Sequence, residues 1–147
     1  MKYFIQWLIV FSLILLGLFV AVWNGLLGIV NDADITKLSF AILILFLFQS
    51  IRLGVSFAQG AVSSKLTNSS YFFSETFTKM GFIGTITGFI YALYHTFMGI
   101  NVADMASTQA ALICMGTGMG TALFTTFMGL VCSLLLRIQI YIYEKAI

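Results

Sequence analysis

Two short stretches of the chain concentrate the side chains that could handle an ion. The first reads Gly81-Phe82-Ile83-Gly84-Thr85-Ile86-Thr87-Gly88. The second runs between Gly116 and Gly129 and carries Thr117, Thr121, Thr125 and Thr126. A threonine hydroxyl offers one proton and two lone pairs, so a group of them can solvate a cation or meet a carboxyl group while staying neutral. Small residues beside them let two membrane helices approach closely, and the hydroxyls can then bond across the contact. On a helix, Gly81, Gly84, Gly88 and Ala92 share one face at three- and four-residue steps. Ala122, Thr126, Gly129 and Ser133 form a comparable stripe, with Thr117, Thr121 and Thr125 as a hydroxyl stripe beside it. Any single Thr can instead bond back to its own helix. The signal is therefore the pattern confined to two adjacent segments, which points to a pore-lining or partner-facing wall.

Other chemistries find little support. The five acidic residues, Asp32, Asp34, Glu75, Asp104 and Glu144, are expected in loops, at a membrane boundary or in the tail. A proton-coupled carrier needs a titratable group within a span in spite of its insertion cost, so here such a group is expected from another chain. His95 reads as an interfacial residue near the outer end of its segment. Cys114 and Cys132 lie 18 residues apart, about 27 Å along one helix, which is too far for a disulfide. No spacing of His, Cys, Asp or Glu suggests a metal site. Neither a Ser/His/Asp arrangement nor a phosphate loop is present, so an enzyme is not expected, nor is a cofactor.

The elements that position the Gly/Thr segments follow from composition. Of 147 residues, 61% are hydrophobic and only 8% charged, and the mean hydropathy is +1.06. A soluble domain carries about 25% charged residues, so this chain cannot cover itself with a solvated surface. A crossing helix needs about 20 apolar residues. Four spans meet that need, at residues 3–30, 38–58, 80–100 and 110–133, the last continuing as helix to 143. The expected fold is all-α, one membrane domain over residues 1–147, with residues 59–79 as the longest polar stretch, either a flat connection or an inward extension of the flanking helices. The apolar start is read as a retained first helix and not as a cleaved signal, because it exceeds the usual apolar length and lacks a cleavage pattern.

Cation placement sets the expected orientation. With an even number of spans, Lys2, Arg52, Lys65, Lys79, Arg137 and Lys145 fall on one side. Lys37 stands alone on the other with Asp32, Asp34 and Asp104. Both termini are thus expected in the cytoplasm. Thr85 and Thr126 then fall at similar depth, each somewhat to the cytoplasmic side of the middle of its span.

The third segment resembles the Gly-x-x-Gly-Thr-Val-x-Gly signature of the MotA/TolQ/ExbB proton channel family, through Gly81, Gly84, Thr85 and Gly88, with Ile86 in the Val place. The fourth resembles that family's Ala-Leu-x-x-Thr-x-x-Gly-Leu, through Ala122, Leu123, Thr126, Gly129 and Leu130. The resemblance covers roughly the C-terminal half. It implies a ring of five copies in a bacterial inner membrane, around two copies of a single-span MotB/TolR/ExbD-like partner whose membrane Asp carries the ion. Thr85 and Thr126, helped by Thr121, would face that Asp, and Gly81, Gly84, Gly88, Ala122 and Gly129 would pack the helices. The TolQ and ExbB branch carries a Glu where this chain has Thr121, and four spans point to the MotA branch. Residues 59–79 are too few to form the large rotor-gripping loop of flagellar MotA, which favours a minimal motor acting through its partner.

The expected function is therefore an ion-conducting stator subunit, H⁺ ahead of Na⁺, that couples ion flow to mechanical work. The alternative is a holin-like or scaffolding oligomer without coupled transport.

Overall fold

A bilayer core supplies no partner for backbone N–H and C=O groups, so an apolar chain without a closed barrel must satisfy them within helices. The sequence contains no proline to interrupt them. A computed structural model describes residues 2–25, 28, 37–60, 63–98 and 105–145. Four helices follow in order: α1 Lys2–Trp23, α2 Leu38–Ala58, α3 Ser64–Met98 and α4 Met105–Glu144. No strand occurs among the described residues.

The body of the protein is the antiparallel pair α3 and α4. Along α3 the buried residues are Thr67, Ser70, Ser74, Phe77, Gly81, Gly84, Gly88, Ala92 and Thr96. These steps of three and four are the a and d positions of a heptad, the spacing that keeps one seam facing a partner helix. On α4, Gly118, Ala122, Thr125, Gly129, Cys132, Leu136, Gln139 and Tyr143 are buried at the same spacing. Where the seam is glycine, the backbones nearly touch. A Cβ on Gly129 would stand 2.6 Å from the Phe77 carbonyl oxygen, and one on Gly88 would stand 2.9 Å from the Ala122 nitrogen.

α2 lies along the first half of this pair. Its Ile42, Phe46 and Leu53 enter a core with Phe77, Cys132, Leu136, Ile140 and Tyr143. Hydrogen bonds fasten the same contact. Gln49 Nε2 donates to Ser70 Oγ at 2.8 Å, and Ser50 Oγ donates to Gln139 Oε1 at 2.8 Å. The Tyr143 hydroxyl meets Ser56 Oγ at 2.7 Å and accepts the Ser63 N–H at 3.1 Å. It thereby ties the end of α2 to the start of α3. α1 is the outermost helix, and Trp7 is its one buried side chain among the described residues.

One alternative is decided and two expectations change. Residues 59–79 mainly extend the third helix: α3 starts at Ser64, and its Ser/Thr/Phe first half is helical because a heptad of buried residues packs it on α4. α1 ends at Trp23, followed by a turn in which Gly25 has a φ of 70°, short of the Val30 boundary. Finally, among the described residues three helices are long and apolar enough to cross a membrane: α1 from Tyr3, α2 and α4. The segment 80–100 belongs to α3, where the glycines and threonines of the seam dilute its apolar content. The acidic turn at Asp32 and Asp34, and Asp104, lie outside the described residues.

Gly129→Ala should weaken the α3–α4 pair by about 1–3 kcal/mol, the usual cost of overpacking a tight contact. Gly116→Ala should be neutral, because nothing lies within 4 Å of its added Cβ. Unfolding of the two purified variants in mild detergent checks the contrast.

Candidate functional site

At the middle of the α3–α4 seam the glycine contacts bring two hydroxyls together. Thr85 Oγ1 and Thr126 Oγ1 are in direct contact. Thr85 Oγ1 also lies 3.1 Å from its own helix's Gly81 carbonyl and 3.4 Å from the Ala122 carbonyl across the seam. Thr126 Oγ1 mirrors this, at 2.9 Å from the Ala122 carbonyl and 3.4 Å from that of Gly81. Two hydroxyls and two carbonyls thus crowd into one cluster. Four oxygens share only the two hydroxyl protons, so lone pairs are in excess. Both threonines are half-buried and the cluster reaches the protein surface. It suits a cation or the proton of a carboxylic acid.

The glycines make the meeting possible. A Cβ on Gly84 would sit 2.5 Å from Thr125 Oγ1, and one on Gly81 would sit 3.3 Å from the Thr126 Cα. Ala122 supplies the shared carbonyl and is 5% exposed. Thr125 is fully buried in the space above Gly84, and its hydroxyl donates to the Ala122 carbonyl at 3.1 Å. It therefore belongs to the seam and not to a separate hydroxyl stripe. Thr117 is exposed and bonds back to the Ile113 carbonyl at 3.0 Å, and Thr87 likewise to Ile83 at 2.8 Å. Thr121 falls in α4, with its side chain outside the described residues.

The short link between α2 and α3 shifts the depth of everything else. Gln49 meets Ser70, and the Phe46 and Phe77 rings lie 6.4 Å apart. Counting outward at equal rise, Thr85 stands level with the Lys37 end of α2. The same count places Glu75, between Ser70 and Phe77, level with the middle of α2. Glu75 belongs to the helical first half of α3 and not to a loop. It sits on the exposed side of α3, 3.5 Å from Lys79. Arg137 joins this polar zone by donating from Nε to Ser74 Oγ at 3.0 Å, and Ser74 in turn meets Ser133 Oγ at 3.1 Å. The seven-residue steps from Ser63 to Ser70 and from Ser70 to Phe77 carried the signal for this register, once α3 is known to begin near Ser64.

Among the described residues, no three His, Cys, Asp or Glu side chains converge on a possible metal position. What the fold and the cluster define is a helical membrane protein whose polar chemistry is held in the seam of a small-residue helical pair. A model of the MotA/TolQ/ExbB proton channel family matches residues 63–146, all of α3 and α4, and the chain belongs to that family. It is a family of channels and not an enzyme family. Neither the curated proteins nor the solved structures give a match.

If the two hydroxyls hold the seam together, Thr85→Val and Thr126→Val should not be additive. A double-mutant cycle on unfolding in detergent should give a coupling of about 0.6–1.7 kcal/mol, the range of side-chain hydrogen bonds between membrane helices. Additive losses would mean that the two side chains act independently.

Proposed function

We propose that this chain is the ring-forming subunit of an ion-driven membrane motor. The Thr85–Thr126 cluster carries the reading: neutral, rich in lone pairs and reaching the surface of the pair, it can receive an ionisable group from another chain. In the proposed assembly five copies stand around a dimer of a single-span partner whose membrane Asp alternates between charged and neutral. The hydroxyls of Thr85 and Thr126, helped by Thr121, solvate that Asp or its ion, and the transported ion is H⁺. Gly81, Gly84, Gly88, Ala122 and Gly129 hold the wall rigid. α3 and α4 form the inner wall of the ring, and α1 and α2 its lipid-facing layer.

Residues 80–100 act as a fourth span in this reading, because a ring shields their glycines and hydroxyls from lipid. Both termini then face the cytoplasm of a bacterial inner membrane, as the six-to-one distribution of Lys and Arg favours. Work is delivered through the partner, since the chain has no large loop between α2 and α3.

The purified complex should contain five copies of this chain and two of a single-span protein by native mass spectrometry. In vesicles of that complex, Thr126→Ser should keep ion flux under a pH gradient. Thr126→Val should lose at least tenfold while keeping the subunit count, because the methyl preserves shape but not lone pairs. Undiminished flux in a fully assembled Thr126→Val complex would overturn the mechanism.

A further inference from the structure

A second feature lies on the opposite side of α4 from the hydroxyl cluster. α1 is pinned near its start, where the Trp7 ring fills the space left by Gly54 and stacks on Phe11 with centroids 5.1 Å apart. Beyond Trp7 the helix packs on the core through Ile14, while Leu13, Leu16, Phe19 and Trp23 are all exposed. Between this part of α1, the outer half of α2 and the α4 stretch around Val131 there remains a cleft of about 470 Å³. No residue that lines it bears a charge, hydroxyl or amide. It is not sealed, since Leu13 and Ile138 line it while remaining 63% and 41% exposed. Gly17 stands within it with nothing inside 4 Å of its missing side chain.

We propose that this cleft binds one acyl chain of a membrane phospholipid. The lining residues of α1 and α2 lie within the two helices most plainly able to cross a membrane, so the open side faces hydrocarbon. Water has no polar partners there and is not held in an apolar site of this kind. An unfilled cleft would deprive its walls of dispersion contacts. The volume is in the range of small-molecule pockets, about 300–1,000 Å³, and is ample for a flexible hydrocarbon tail. A tail in the cleft bridges α1 to α4 and supports a helix that the protein itself holds at Trp7 and, half-buried, at Ile14. The cleft shares Cys132 with the α3–α4 seam but neither Thr85 nor Thr126 lines it, so it does not depend on the ion-motor reading.

The test uses the full chain in phosphatidylcholine vesicles containing a small share of phosphatidylcholine with a diazirine at the middle of one acyl chain. After irradiation, fragments are sequenced by mass spectrometry. The expected result is label on both walls of the cleft, at Gly17–Leu18 and at Val131–Leu135, in addition to label on the outward residues Leu15 and Leu16. Gly17→Phe should remove most of the cleft label and leave that on Leu15 and Leu16 unchanged. Val131→Phe, which fills the cleft from the other wall, serves the same purpose if Gly17→Phe does not assemble. Label confined to outward residues, or cleft label that survives both fillings, would each overturn the proposal.

Discussion

The distance between the backbones of α3 and α4 governs the rest of the protein. Small residues at the a and d positions of a regular heptad bring the two helices close enough for main-chain atoms to meet, as at Gly129 and Phe77. At that distance two threonines on facing helices need no long side chain to touch, and each reaches the carbonyl beside the other. A bulkier seam would hold the helices apart, and the oxygens would turn back to their own helices, as Thr117 and Thr87 do. In lipid, where apolar burial gives no net drive for helices to associate, this close packing is also the main source of adhesion.

A second constraint is the length of the α2–α3 link. With only residues 59–63 between them, α2 must fold straight back along the first half of α3. The polar bonds follow from that placement. Gln49 with Ser70, Ser50 with Gln139 and Ser56 with Tyr143 all join α2 to the inner half of the pair. Hydrogen bonds between side chains in this setting specify a register better than apolar contact, because a slipped pairing leaves buried amides without partners. Gln49 and Gln139 are both fully buried, so a slip would be costly.

Much of the helix content was legible because apolar runs of membrane length have few alternatives. The stripe Gly81, Gly84, Gly88 and Ala92 was legible because spacing alone puts those residues on one face. Thr125 and Gly118 were harder. Both occupy seam positions, yet the adjacent Thr126 and Gly120 offer the same chemistry one or two residues away, and only the observed heptad phase separates them. The helical start of α3 was hidden by composition: Ser64 to Ser74 looks polar, but Thr67, Ser70 and Ser74 are buried against another helix and not exposed as a loop would be.

The offset between the two layers has a mechanical side. Residues 105–136 of α4 carry no Asp, Glu, Lys or Arg, about 48 Å of helix at the standard rise, whereas α2 is about 32 Å long. The hydrocarbon core is about 30 Å thick. α2 therefore matches a flat bilayer when upright, and α4 does not. Where it does not continue into water, the longer helix must lean, be sheathed by other chains, or thicken the lipid around it. Because one end of α4 is fixed to α2 through Gln139 and Tyr143, any lean is shared by the whole molecule. Bilayer thickness thus acts on this fold as a lever on its tilt, which a bundle of four equal helices would not feel.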